Sequence, residues 1–109
     1  MITSTPTLVN TYFQLAAQGD SEAYWALFDD DAVVEDEGNT YRGIEAIRQW
    51  RAEVPQVTYD ITAVEAAADG GIVVTATVTG DFPGSPFAGL KFHFVDFDDA
   101  KIRTLYIRT

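Results

Sequence analysis

The hydrophobic pattern changes its period near Pro55, and this change limits the possible folds more than any other feature of the chain. Before Pro55, apolar residues recur every three or four positions, as they do in amphipathic helices. After Pro55, apolar and polar residues alternate, and many of the side chains are β-branched, as in half-buried strands. Helices followed by a run of strands predict an α+β fold.

The helical half predicts three helices, at residues 4–19, 20–28 and 43–54. A short strand at residues 32–36 ("AVVED") lies between the second helix and the third. The alternating half predicts four further strands, at residues 57–64, 72–80, 90–97 and 102–108. We expect the three helices to pack on one side of a curved, mainly antiparallel sheet and to leave a cavity suited to a ligand.

Composition excludes several classes of function. The chain has 109 residues, enough for a single domain, and 17 acidic against 7 basic residues give a formal charge of −10. Nucleic acid and anionic membranes are therefore poor partners, because their phosphates would be repelled. The absence of cysteine and the single histidine leave no convincing metal site. The start lacks the features of a signal peptide and no run is long enough to span a bilayer, so we expect a cytoplasmic protein.

One long stretch resembles a known family. The segment "YFQLAAQGDSEAYWALFDDDAVVEDEGNTYRGIEAI" is similar to the first half of the nuclear transport factor 2-like superfamily, in its ketosteroid isomerase and SnoaL-like polyketide cyclase branch. The segment "FHFVDFDDAKIRTLYI" extends the resemblance to about Arg108, so we expect one SnoaL-like domain over residues 1–109. The resemblance implies a cone-shaped α+β barrel with an apolar pocket, often dimeric through the outer face of its sheet.

The resemblance also implies roles for three residues. Tyr12 falls where the isomerases keep an oxyanion-hole tyrosine, and Asp36 falls where they keep the general base. His93 falls at the position of the second oxyanion donor, where those enzymes have an aspartic acid. From the residues alone, alternation in "AVVED" places Val34 and Asp36 on one face, so Asp36 faces the cavity rim if Val34 faces inward. The alternatives are that Asp36 only opens the polar turn after it, that Tyr12 is core, and that His93 is an ordinary strand residue.

Further apolar residues are candidates for the pocket lining, although for most of the aromatic ones a place in the hydrophobic core is the expected role. They are Trp25, Phe28, Val34, Trp50, Tyr59, Phe82 and Val95. The expected ligand is a small apolar or aromatic molecule with a carbonyl or phenolic oxygen, and no cofactor or metal is expected.

Three functions remain open from the sequence. The first is a cofactor-independent isomerase or cyclase that abstracts a proton next to a carbonyl. The second is a non-catalytic module that binds a small molecule in the same cavity. The third is an association domain that acts through the outer face of its sheet. For any of these functions we expect a homodimer, because Thr75, Thr77 and Thr79 beside apolar positions form an outer face suited to two-fold pairing.

Overall fold

The computed structural model describes residues 7–18, 22–53, 57–68, 70–80, 83–98 and 101–108. In chain order the elements are α1 (Thr7–Gln18), α2 (Glu22–Trp25), β1 (Phe28–Asp36), β2 (Asn39–Arg42), α3 (Ile44–Glu53), β3 (Val57–Ala66), β4 (Ile72–Gly80), β5 (Phe87–Phe97) and β6 (Ile102–Arg108). The longest described helix, α1, has 12 residues, and no described helix is long and apolar enough to cross a membrane.

The six strands form one sheet in the order β2-β1-β6-β5-β4-β3. Every neighbouring pair is antiparallel except β1 and β6, which run parallel. The sheet is not closed in the described part of the chain, since β2 and β3 are its two edges. The predicted α+β class and mainly antiparallel sheet are confirmed.

The helices cover one face of the sheet, which we call the inner face, because each helix has one apolar side. The buried residues of α1 follow the helical spacing i, i+1, i+4, i+5 and i+8, and they are Leu8, Val9, Tyr12, Phe13 and Ala16. On this side α1 packs against β3, and α3 packs against β1 and β2. The opposite face, which we call the outer face, carries no described helix.

Aromatic rings fill much of the space between α1 and the inner face. The Tyr12 ring lies 5.1 Å from Phe13 and 5.4 Å from Phe94, centre to centre, and both pairs meet edge to face. The Phe13 and Phe92 rings lie 5.0 Å apart in the same arrangement. Such pairs stabilise a core by about 0.5–1.5 kcal/mol each beyond the burial of their area, so this cluster holds α1 firmly on the sheet.

The turn after Asp36 differs from the sequence prediction, because it closes a hairpin. Glu37 (φ 50°) and Gly38 (φ 88°) both have positive φ, as a two-residue type I′ turn requires, and Asp36 lies opposite Asn39. The following residues therefore pair with β1 as strand β2, which the sequence did not predict. β1 is also longer than predicted, since it begins at Phe28 rather than Ala32.

Candidate functional site

A cavity of about 150 Å³ lies between the helices and the inner face of the sheet. Half of its lining is aliphatic or aromatic and comes from strands, namely Val57, Val78, Leu90, Phe92 and Ile107. The other half can form hydrogen bonds and comes from α1, α3, β1 and β3, namely Tyr12, Asp36, Trp50, Arg51 and Tyr59. Some of these side chains, such as Asp36 and Leu90, are only half-buried, so the cavity opens to solvent on one side.

Asp36 reaches the cavity because it ends β1 on the same face as Val34, which is fully buried. The indole Nε1 of Trp50 donates a hydrogen bond to its Oδ2 at 3.0 Å. Within the described part of the chain, no other residue donates to this carboxylate. A carboxylate oxygen can accept more than one hydrogen bond, so Asp36 keeps the capacity to take up a proton from a ligand in the cavity.

Tyr12 is part of the wall of the same cavity. Its side chain is fully buried, and this burial, followed by the proximity of Tyr24, raises its pKa well above the ordinary tyrosine value. The phenol therefore stays protonated at neutral pH and can donate a hydrogen bond to a ligand oxygen.

Arg51 places a positive charge in the cavity wall. The residue is only 4% exposed, its Nη2 donates to the Ala16 carbonyl at 2.6 Å, and its guanidinium lies 5.0 Å from the centre of the Tyr24 ring. The Ala16 carbonyl belongs to the last turn of α1, where carbonyls lack helical partners and a cation is favourable. Burial by itself lowers the pKa of Arg51, but the nearby Tyr24 and other tyrosines outweigh it, so the pKa is raised and the group stays charged.

Sequence reasoning missed Arg51, although the sequence carries a signal for it. Ile47, Trp50 and Arg51 follow the spacing i, i+3 and i+4, which is the buried face of α3. A charged residue at such a position is unusual, because burying a charge is costly unless neighbours compensate for it.

The prediction that His93 faces the cavity is wrong. Its neighbour Phe92 lines the cavity, and alternation along β5 places His93 on the outer face. There its ring lies 6.2 Å from the ring of Tyr106 on the adjacent strand β6. Alternation defines two faces of a strand, but it does not show which face the helices cover. The structure thus brings Tyr12 and Asp36 to one cavity and places His93 elsewhere.

Two of the predicted lining residues, Trp50 and Tyr59, are part of the cavity wall. Val34 is fully buried in the hydrophobic core and does not line the cavity. Asp36, two residues later on β1, does line it.

The other predicted lining residues lie away from the cavity or outside the described residues. Trp25 and Phe28 border a separate groove with several charged side chains near the start of α3. Val95 is half-buried on β5, at a register shift beside Asp96, and is not in the lining. Phe82 lies outside the described residues. Among the residues that are described, no three His, Cys, Asp or Glu side chains cluster as a metal site requires.

The family model of the SnoaL-like domain matches residues 9–105. The chain belongs to this family. The resemblance of the chain to the ketosteroid isomerase and SnoaL-like polyketide cyclase branch, which the sequence predicted, is therefore confirmed at the level of the family. None of the curated protein sequences gives a significant match.

Solved structures with the same fold support this assignment. A candidate polyketide cyclase from Sinorhizobium meliloti is 34% identical, with a TM-score of 0.83 and 95% of each chain covered. A protein of ketosteroid isomerase-like fold from Catenulispora acidiphila, solved with trimethylamine, is 23% identical, with a TM-score of 0.78 and coverage of 97% of this chain and 87% of that one. The epoxide hydrolase/cyclase-like enzyme SalBIII, of pyran ring formation in salinomycin, is 21% identical, with a TM-score of 0.74 and coverage of 92% and 85%. The last two similarities show a shared fold.

Proposed function

We propose that this protein is a cofactor-independent enzyme of the isomerase or cyclase kind, which abstracts a proton next to a carbonyl in a small apolar or aromatic ligand. The observation that carries the proposal is the Asp36 carboxylate in the wall of a cavity that is otherwise half apolar, with one of its oxygens held by Trp50 at 3.0 Å. A general base needs a fixed position beside its substrate, and this hydrogen bond provides one.

The reaction uses two groups in the cavity. Asp36 takes the proton from the carbon next to the carbonyl, and the electron pair of that C–H bond moves to the carbonyl oxygen to form an enolate. The neutral Tyr12 hydroxyl donates a hydrogen bond to this oxygen as its negative charge develops. Return of the proton to a different carbon completes an isomerisation. Alternatively, the enolate carbon attacks a second carbonyl, the π electrons of that carbonyl move to its oxygen, and this oxygen takes the proton from Asp36 to complete a ring closure.

The likeness to the Sinorhizobium meliloti candidate polyketide cyclase supports the second outcome, since that protein covers the same length at 34% identity. A ligand with a carbonyl or phenolic oxygen fits the site in either case, because such an oxygen can accept from Tyr12 while the apolar body contacts residues such as Phe92.

The test is proton exchange in heavy water, followed by NMR, over a panel of cyclic ketones and phenols whose binding is scored by thermal shift. Asp36→Asn should lower the exchange rate about 100- to 10,000-fold, the usual contribution of a general base, while binding is largely retained. Glu35→Gln is the matched control, because Glu35 is the preceding residue on β1 and does not line the cavity. Equal exchange in Asp36→Asn and the wild type would refute the role of Asp36 as base.

A non-catalytic ligand-binding module is the second candidate function. It is favoured by the surroundings of Tyr12, whose ring lies 5.7 Å from Tyr24 inside the aromatic cluster, so that its hydroxyl can serve the core rather than a ligand. Binding of panel members without any exchange in the wild-type protein would select this candidate.

We also propose a homodimer that pairs through the outer face of the sheet. On β4 this outer face carries Val73, Thr75 and Thr77, which are half-buried. They alternate along the strand with buried residues of the inner face, such as Val74. A mixed apolar and hydroxyl face of this kind suits the self-complementary contact of a two-fold dimer. Light scattering at micromolar concentration should give twice the mass of the chain, and a monomer would refute the pairing.

A further inference from the structure

The cavity wall contains two opposite charges that come from neighbouring parts of the chain. Asp36 lies at the end of β1, and Arg51 follows Trp50, the residue that donates to Asp36. Arg51 is nevertheless held by other groups, since its Nη2 bonds the Ala16 carbonyl and its guanidinium lies over Tyr24. The cavity therefore has a positive side and a negative side.

The size of the cavity limits the ligand. Its volume is about 150 Å³, whereas sites for drug-sized ligands span roughly 300–1,000 Å³. An engineered apolar cavity of roughly 150 Å³ in another protein binds benzene. The enclosed part of this site thus accommodates one ring, and a fused tetracycle would extend well outside it.

From charge and size together, we infer that the ligand is a small organic anion of single-ring size, and that its carboxylate binds Arg51. The inference rests on the proposed function in that both use the same cavity, and it names the class of ligand that the cavity takes.

Arg51 is suited to this role as well as to holding α1. A guanidinium has five N–H donors in a rigid fork, and the hydrogen bonds of Arg51 to the Ala16 carbonyl and to Tyr59 fix that fork in the cavity wall. A carboxylate matches this fork better than a neutral oxygen does, because the hydrogen bonds are reinforced by charge. The net charge of −10 opposes the approach of any anion, so a preference for anions would have to come from local contacts in the cavity.

The same charges orient the ligand. A carboxylate is repelled by Asp36 and attracted by Arg51, so the ligand enters with its carboxylate toward α3. The uncharged part of the molecule, including any acidic C–H bond, is then directed toward Asp36. Binding at Arg51 would in this way present the reacting carbon to the proposed base.

A matched pair of ligands tests the inference, namely phenylacetate and phenylacetamide, which have the same shape and differ in charge. Titration calorimetry of the wild-type protein should show phenylacetate binding roughly 10- to 100-fold more tightly, as expected for charge-assisted hydrogen bonds. Arg51→Gln should abolish this preference. Arg48→Gln is the matched control, because Arg48 lies one turn earlier on α3, with its side chain 49% exposed, and does not line the cavity.

Loss of the bond to Ala16 could unfold Arg51→Gln, and circular dichroism would reveal this. Arg51→Lys then decides the matter, because lysine keeps the charge without the fork, and the preference should shrink but persist. Equal binding of the two ligands by the wild-type protein, or an undiminished preference in a folded Arg51→Gln, would overturn the inference. The proposed function fails separately, if no ligand of the ketone and phenol panel exchanges its C–H protons while the preference for phenylacetate remains.

Discussion

The two faces of the sheet carry different chemistry, although they are formed by the same strands. On β5, Leu90 and Phe92 face the helices and line the cavity, whereas the intervening Lys91 is exposed and His93 contacts Tyr106 on the outer face. A shift of one position along a strand thus separates a residue of the candidate site from one with no access to it. The comparison shows that residue type alone does not identify the site, since the single histidine is outside it and a tryptophan is inside.

The largest difference between the faces should appear in stability. Phe92→Ala removes a ring that is 2% exposed and packed 5.0 Å from Phe13, so the free energy of unfolding should fall by about 3–5 kcal/mol. His93→Ala, at the next position, should change it by less than about 1 kcal/mol. Urea unfolding of both variants measures the contrast, and similar losses would show that the outer face is packed as tightly as the inner one.

A smaller effect is expected at the hydrogen bond inside the cavity. Trp50→Phe removes the donor to Asp36, and a hydrogen bond to a charged group contributes about 1.5–3 kcal/mol. Exchange catalysis should fall as well, because Asp36 loses its fixed position. Trp25→Phe provides the control, since Trp25 is half-buried and its indole makes no hydrogen bond to a described residue. Unchanged stability and exchange in Trp50→Phe would mean that Trp50 does not position Asp36.

The buried Tyr12, on the inner side of the sheet, should make the free energy of unfolding depend on pH. Burial raises the pKa of this phenol in the folded protein above its unfolded value of about 10, so the folded state retains the proton more strongly. The resulting stability is fully present below pH 10 and is lost as the pH rises through the folded pKa. Above pH 10 the free energy of unfolding of the wild type should therefore fall more steeply than that of Tyr12→Phe, as measured by urea unfolding at each pH. Parallel profiles would contradict this.

The smallest effect is expected on the outer face. Arg108 Nη2 and Glu35 Oε1 form an ion pair at 3.1 Å, with the Arg108 side chain 54% exposed. Water and salt screen such a pair, so a double-mutant cycle with Arg108→Gln and Glu35→Gln should give a coupling of about 0–1 kcal/mol. A coupling well above this range would indicate that another group shields the pair, as a dimer contact would.

The sequence predicted the helices and most strands because their periodicity is local. It did not predict β2, because "NTYR" is four residues of polar and aromatic type with no alternating run, and its pairing depends on the turn at Glu37 and Gly38. It also extended the second helix to Phe28, which begins β1 instead, since a buried aromatic residue suits either structure.

The candidate site was predictable only in part. Asp36 and Tyr12 were located by family resemblance, and the alternation of β1 fixed Asp36 relative to Val34. The sidedness of β5 could not be read from the sequence, because alternation defines two faces and only packing decides which one is covered. Arg51 was not predicted, because a charged residue on an apolar helix face can be buried only when other groups compensate for its charge. The fold brings two such groups, the Ala16 carbonyl and the Tyr24 ring, to Arg51.

The parallel pairing of β1 with β6 has a consequence for the order in which the molecule is made. β6 lies between β1 and β5, so the first strand is joined to the hairpin of β4 and β5 only through residues 102–108. The length of the intervening chain raises the entropic cost of bringing such distant segments together. During synthesis, Asp36 leaves the ribosome long before Ile107, its partner in the β1–β6 register and a neighbour in the cavity wall. The cavity therefore cannot assemble on the ribosome until β6 has emerged, and until then the apolar inner face of β1 remains without its central neighbour.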